Sequence, residues 1–345
     1  MRKMATVRQV DAVNPIPDAD AIEVATVGGW RVVIKKGEFK PGDLAVYCEI
    51  DSWIPNDLAP FLSKGSEPRV YNGVVGERLR TVKLRGQVSQ GLLLPHDIVW
   101  DKNMFDFNRF DEGDDVSELL NIQKWEAPIP AQLAGEVRGV FPGFIPKTDQ
   151  ERIQNLTAEF ADWTERKLHW EVTEKLDGSS MTVYVFDEDE GVCSRNLNLR
   201  ETEMNSLWTV ARRNDLIGKI RSTGQNLAFQ GELIGEGIQG NPYKIRGQEF
   251  YLFDIYDIGA GRYLTPLERQ ALAARLRVLC VPTVAAHANP YDTLGIVDIA
   301  QMLKFAEGKS VLMNTTEREG LVFKCHEEAV SFKAISNKFL LKGGN

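Results

Sequence analysis

The sequence predicts an α+β chain in two units: a β-rich unit over residues 1–125 and a larger mixed unit over 131–345. Three observations carry that expectation. Up to about residue 99, short β-prone runs alternate with Gly and Pro turns. An acidic stretch closed by prolines follows. Beyond it, strand and helix patterns intermix without regular βαβ spacing, which argues against a doubly wound nucleotide fold. No GxxxxGK[ST] occurs.

In the first unit, 5–13, 22–27 and 30–34 read as strands. Gly28 and Gly29 suit a tight hairpin between the last two. Pro41-Gly42 marks a turn before a strand over 44–50. Further strands are expected over 77–84 and 91–94, with Gly86 between them. About five short strands in this length suggest a small barrel or a sandwich, an OB-like barrel being one candidate. Lys64, Arg69, Arg78, Arg80, Lys83 and Arg85 make a local basic stretch around Tyr71, opposed by Glu67 and Glu77. It reads either as a phosphate-contacting surface or as a solvated strand pair with long cations at its edges. Asp106, Asp111, Glu112, Asp114, Asp115 and Glu118 then reverse the sign, and the run into Pro128 and Pro130 reads as an inter-domain connection.

In the second unit a helix is expected over 149–163, presenting Ile153, Leu156 and Phe160, with Thr148 or Asp149 as its cap. Strand patterns follow at 169–174, 181–186, 227–234 and 249–256. Helical composition occupies 267–278 and 297–307. The chain returns to β pattern at 320–325 and 329–335.

At 345 residues with 43% hydrophobic and 26% charged side chains, the chain is long and apolar enough to bury real cores, which excludes global disorder. The net charge of -8 disfavours a polybasic coat but leaves room for a local basic groove. Cys48, Cys193, Cys280 and Cys325 form no CxxC pair, so reduced thiols in a cytoplasmic protein are expected. The four histidines show no HExxH spacing. The first residues lack the apolar core of a signal peptide, and no run reaches the roughly 20 apolar residues of a membrane span.

Chemistry concentrates in Glu174-Lys175-Leu176-Asp177-Gly178-Ser179-Ser180, set between two apolar strands. A lysine attacks phosphorus only as the free amine, yet neighbouring carboxylates raise its pKa. A nucleophilic Lys175 therefore needs other cations, a metal ion or partial desolvation. The competing reading is a hairpin carrying a salt-bridged surface lysine. Further islands are Ser194-Arg195-Asn196, Glu232, Phe253-Asp254, Glu319-Gly320-Leu321-Val322-Phe323-Lys324 and Lys333. Together they supply a nucleophile, cations for phosphates, carboxylates for a divalent metal and an aromatic face for a base, an inventory that suits nucleotidyl transfer.

In order and content these islands resemble the covalent nucleotidyltransferases, the superfamily of ATP-dependent ligases and mRNA capping enzymes. Lys175-Leu176-Asp177-Gly178 resembles the KxDG nucleophile motif, and Glu319-Gly320-Leu321-Val322 the EGxV motif. The resemblance spans 144–341 and is most similar to RNA ligases of the second phage type, in the bacterial branch with an N-terminal OB domain. Phe144-Ile145-Pro146-Lys147-Thr148, Arg152-Ile153-Gln154-Asn155, Pro41-Gly42-Asp43 and Ser89-Gln90-Gly91-Leu92 carry the likeness across nearly the whole chain. It implies an N-terminal OB-like β-barrel plus a ligase-type nucleotidyltransferase domain of antiparallel sheets and helices. Two positions depart from the pattern. The last motif is Lys333-Ala334-Ile335 rather than K-x-K, with Lys338 the next cation, and Ser180 stands where the phage-type enzymes have asparagine.

By that resemblance, Lys175 attacks the α-phosphorus of ATP, AMP passes to a 5′-phosphate, and a 3′-hydroxyl displaces it. Glu174 would accept from the adenine amino group, Phe253 stack on the base and Arg195 contact ribose or phosphate. Glu232 and Glu319 are the carboxylates implied for Mg²⁺ or Mn²⁺. Lys324, Lys333 and Lys338 would meet the α-phosphate, and Arg78, Arg80, Lys83 and Arg85 the nucleic acid. The implied partner is nicked or broken RNA, including an RNA/DNA hybrid duplex with RNA on the 3′-hydroxyl side, acted on by a monomer away from membranes. The alternatives are a capping-type guanylyltransferase, which would label with GTP, and a non-catalytic RNA-binding protein, which would label with neither nucleotide.

Overall fold

A computed structural model describes residues 2–102, 110–126 and 136–342. Asp106, Pro128 and Pro130, named above, lie outside the described residues. The chain divides into two compact units, Met1–Pro128 and Ile129–Asn345.

The described part of the first unit is built mainly of short strands, with short helical turns at Pro60–Ser63 and Ile98–Lys102. Leu44–Cys48 is the centre of a sheet flanked by Ala5–Gln9 and Leu92–Pro95. Ala12–Pro15, Ile22–Val27 and Trp30–Lys35 form a meander, and Gly28 turns its hairpin with φ 56°. The expected single strand over 5–13 is thus two strands in different sheets. Likewise the run over 77–84 divides into Val74–Arg78 and Val82–Leu84, which also belong to different sheets. Alternation places Val46 and Cys48 in a core with Val7, Ile54 and Leu94, and Ala45 and Tyr47 in another with Trp30 and Val32.

The described part of the acidic stretch does not act as a connection. Val116, Leu120 and Ile122 lie in the Val7–Val46 core, and Gln123–Lys124 pairs with Ser52–Trp53. Its apolar positions anchor it while the carboxylates face solvent.

Among the described residues, the second unit holds two sheets. One contains Val137–Val140, Leu197–Leu199, Asp189–Cys193, Ser179–Phe186, Leu227–Gly235, Gln248–Asp257 and Arg262–Tyr263, in that order. Its Met181, Phe229 and Phe250 face pack under the helices Ser206–Arg213, Leu216–Arg221 and Pro266–Leu276. The other sheet runs Glu151–Arg152, Ser331–Ile335, Gly320–Cys325, Trp170–Lys175, Thr283–Ala288. Trp170, Val172, Phe323 and Phe332 make its core with the helices Thr157–Glu165 and Ile299–Ala306. No helix of the described residues is long and apolar enough to cross a membrane.

The helix expected over 149–163 begins only at Thr157. Arg152 is instead a strand residue paired in parallel with Lys333, and Asp149 makes ion pairs with Lys333 and Arg195. Tertiary partners override the local helical pattern there.

Candidate active site

Lys175 and Ser179 end and begin strands of different sheets. The residues between them cross from one sheet to the other, so the hairpin reading fails and the lysine stands at the crossing. Gly178 makes that passage possible. A Cβ there would collide with the Leu233 carbonyl and lie 2.9 Å from Glu232 Cγ. The Asp177 amide donates to Tyr243 Oη at 2.6 Å, which holds the crossing in place.

Strand alternation sorts the neighbours. Trp170, Val172, Leu321, Phe323, Phe332 and Ala334 occupy the core face of their sheet. The ladder sets Glu171 beside Lys324, Thr173 beside Val322, Val322 beside Lys333, and Lys175 beside Gly320. Glu171, Thr173, Lys175, Val322, Lys324 and Lys333 therefore share the other face. In the second sheet, Glu232 pairs with Ser180 next to the crossing.

Lys175 Nζ lies 2.7 Å from Glu319 Oε1 and is half-buried. Burial favours loss of its proton, but Glu319, Glu232 and Asp177 outweigh this and hold its pKa above the ordinary lysine value. Burial pushes the Glu232 carboxyl up to about 8 despite Lys175, with Glu319 and Asp177 adding to the rise. Asp177 is raised to about 6 for the same first reason. The crossing thus gathers three carboxyl groups, Glu319, Glu232 and Asp177, around one lysine.

Other predicted residues fall at varied distances from this centre. Lys333 is buried and bonds Asp149 at 3.0 Å, while Arg195 is exposed and lies 3.5 Å from the other oxygen of Asp149. Phe253 is half-buried in a cluster with Leu176, Ile234 and Tyr243. Lys324 is directed to Asp254 at 2.6 Å and to the Phe253 carbonyl; burial lowers its pKa. Glu174 is buried on the opposite side of its strand from Lys175, where the Val311 amide donates to Oε2 at 2.7 Å and, among the described residues, Oε1 has no hydrogen-bond partner. Lys338 is exposed and pairs with Glu307 at 3.1 Å, so the structure does not bring it to the crossing. In the first unit, Arg78 pairs with Asp51 at 2.7 Å and lies 3.9 Å over the Trp125 ring, whereas Arg80, Lys83 and Arg85 are exposed.

Several participants escaped the sequence reading. Asp149 links Arg195 to Lys333, Tyr243 holds the crossing, and Glu171 and Arg269 form a buried ion pair. Their partners are distant in the chain, so no local spacing betrays them. Among the described residues, no group of three or more His, Cys, Asp or Glu is arranged to hold a metal ion by itself.

Comparison with known proteins places this geometry. An OB-fold domain family matches residues 4–96, and the RNA ligase family matches residues 168–339. No curated protein matches the chain. Solved structures of Naegleria gruberi RNA ligase are 49% identical with a TM-score of 0.88. An apo variant is covered over 98% of its length by 99% of this chain. The enzyme with PPi is covered over 99% by 100% of this chain, and a variant with ATP and Mn over 100% by 100%. These relatives come from a eukaryote, not from the bacterial branch that the resemblance implied. With near-complete coverage at that identity, the chain belongs to the RNA ligase family and joins an OB-fold domain to a ligase-type nucleotidyltransferase domain.

Proposed function

We propose that this chain seals RNA 3′-hydroxyl and 5′-phosphate ends with ATP, through an AMP carried on Lys175. The observation that carries the reading is the crossing itself: Lys175 lies 2.7 Å from Glu319, with Glu232 and Asp177 around it, in the RNA ligase domain. The Lys175 amine forms a bond to the α-phosphorus as the bond to pyrophosphate breaks. AMP then passes to a 5′-phosphate oxygen. A 3′-hydroxyl finally attacks that phosphate and AMP leaves.

Three carboxyl groups around one lysine fit a divalent cation, which would favour their ionised forms. Mg²⁺ and Mn²⁺ are commonly bound by one or two carboxylates, with phosphates and water completing the shell, so a three-residue protein cage is not needed. Glu319 and Glu232 would hold it. When bound, it supplies positive charge that favours the neutral lysine and offsets developing phosphate charge. Lys333 and Arg195 face phosphate oxygens after release from Asp149. Phe253 and Val322 flank adenine, and the orphaned Glu174 Oε1 is the acceptor offered to its amino group. Lys324 is tied to both Asp254 and the Phe253 carbonyl, and Lys338 is exposed beside Glu307, so both are weaker phosphate ligands. Arg80, Lys83 and Arg85 supply the basic surface for nucleic acid, whereas Arg78 serves the barrel. The membership of the second phage type, preference for RNA on the 3′-hydroxyl side of a hybrid nick, action as a monomer and residence in the cytoplasm complete the proposal. The free state of all four cysteines supports the last.

Incubation with α-labelled ATP and Mn²⁺ tests the nucleophile. Label should remain on the denatured protein and vanish in Lys175→Ala. Exclusive labelling by GTP would favour the capping reading instead. Nicked duplexes differing only in RNA or DNA at the 3′-hydroxyl side then test the substrate.

A further inference from the structure

Phe253 sits at a break in strand register. Gln230 pairs with Asp254 while Gly231 pairs with Leu252, so Phe253 is the extra residue of a β-bulge. Bulges re-aim side chains beside active sites and leave the extra residue outside the ladder. The Phe253 carbonyl accepts from Arg269 Nη1 at 2.9 Å and from Lys324 Nζ. Arg269 comes from the helix Pro266–Leu276 and is 2% exposed. Its Nη2 donates to Glu171, which is 0% exposed and belongs to the strand that ends at Lys175. Gln270 donates to the same Glu171 oxygen at 2.6 Å.

One guanidinium therefore ties the bulge in one sheet to the nucleophile strand in the other. Apolar side chains of similar volume would cost less to bury than this ion pair, so stability alone gives a weak reason for it. Its geometric consequence is specific: a planar fork with donors in fixed directions sets the distance between the Phe253 backbone and Glu171.

We propose that Arg269 is a positioning residue for the nucleotide base, fixing the bulge backbone and through it the Phe253 ring. The proposal rests on the reading that Phe253 stacks on adenine. Arg269 touches neither the nucleotide nor Lys175; its effect passes through residue 253.

The test compares Phe253→Ala, the charge-neutral pair Glu171→Gln with Arg269→Gln, and all three changes together. Labelling of Lys175 gives KM for ATP and the maximal rate. Inorganic pyrophosphate as an inhibitor reports the phosphate side, and thermal melting reports the fold. Base–aromatic stacking predicts a rise of about tenfold in KM for Phe253→Ala. The neutral pair should raise KM by a comparable factor, with pyrophosphate inhibition changed less than about twofold. In the Phe253→Ala background it should add less than about twofold, since the effect requires the ring. Arg269→Lys keeps the charge without the fork and should also raise KM; it supplies the measurement if the neutral pair does not fold. An unchanged KM in a folded variant overturns the proposal, and so does an equal rise with or without the Phe253 ring. If Phe253→Ala itself leaves KM unchanged, the stacking reading fails first and the role of Arg269 falls with it.

Discussion

At the scale of single residues, the crossing leaves little freedom at Gly178. A methyl group there meets the backbone of the Leu227–Gly235 strand, which cannot rotate aside as a side chain would. Gly178→Ala should displace Lys175 relative to Glu232 and lower adenylylation about a hundredfold, the scale expected of a displacement near 1 Å. A modest fall in melting temperature with a far larger loss of labelling is the expected pair of results. The two candidate lysines of the last motif also part at this scale. Lys333 is buried on the face that carries Lys175, and its removal should reduce labelling by about 10²–10³, as for loss of one preorganised charge donor. Lys338 forms an exposed pair with Glu307, so Lys338→Ala should change the rate by less than about twofold. Comparable losses in both variants would restore Lys338 to the site.

At the scale of elements, the helix Pro266–Leu276 carries Arg269 and depends on its first turn. Thr265 Oγ1 accepts from the Glu268 amide at 3.3 Å, and the Thr265 amide donates to Glu268 Oε2 at 2.8 Å. Thr265→Ala should destabilise the catalytic unit by about 1 kcal/mol. Arg262 and the Thr265 amide hold the Glu268 carboxyl down at about 2, against an ordinary 4.5. A depressed carboxyl stabilises the fold above its unfolded pKa and loses that contribution as pH falls. The melting difference between the protein and Glu268→Gln should therefore hold from neutrality to about pH 5, then shrink toward pH 2. A constant difference would show that the charge is not involved. This helix was legible in the sequence from the helical composition of 267–278, although its capping pair Thr265 and Glu268 was not read. The strands 320–325 and 227–234 were legible for a similar reason: their β-prone pattern is local and long enough to read. The helix expected from 149 was misread because Asp149 and Arg152 answer to Lys333, far along the chain. Leu197–Leu199 was too short to show a period, and Arg269 gave no signal because Glu171 is 98 positions away. The islands around Lys175 and Glu319 could be found in the sequence. The polar support beneath them became visible only when the two sheets were assembled.

At the scale of the whole molecule, the residues assigned to lysine adenylylation all belong to the second unit, while the exposed cations assigned to RNA belong to the first. The hairpin of Val82–Leu84 and Gln87–Ser89 carries Lys83 and Arg85 with Val82 and Leu84 also exposed. Such a surface suits phosphate attraction with incidental apolar contact. Lys83→Ala with Arg85→Ala should leave labelling by ATP within about twofold of the unaltered protein. Binding of a nicked RNA-containing duplex should weaken, and the slope of log affinity against log salt should fall by about 1.8 if both cations meet phosphates. Sealing at low nick concentration should decline with binding and recover at saturating nick. An unchanged salt slope would remove the hairpin from the nucleic-acid surface. A parallel loss of ATP labelling would instead make the barrel a partner in the first chemical step, contrary to the separation of charges between the units.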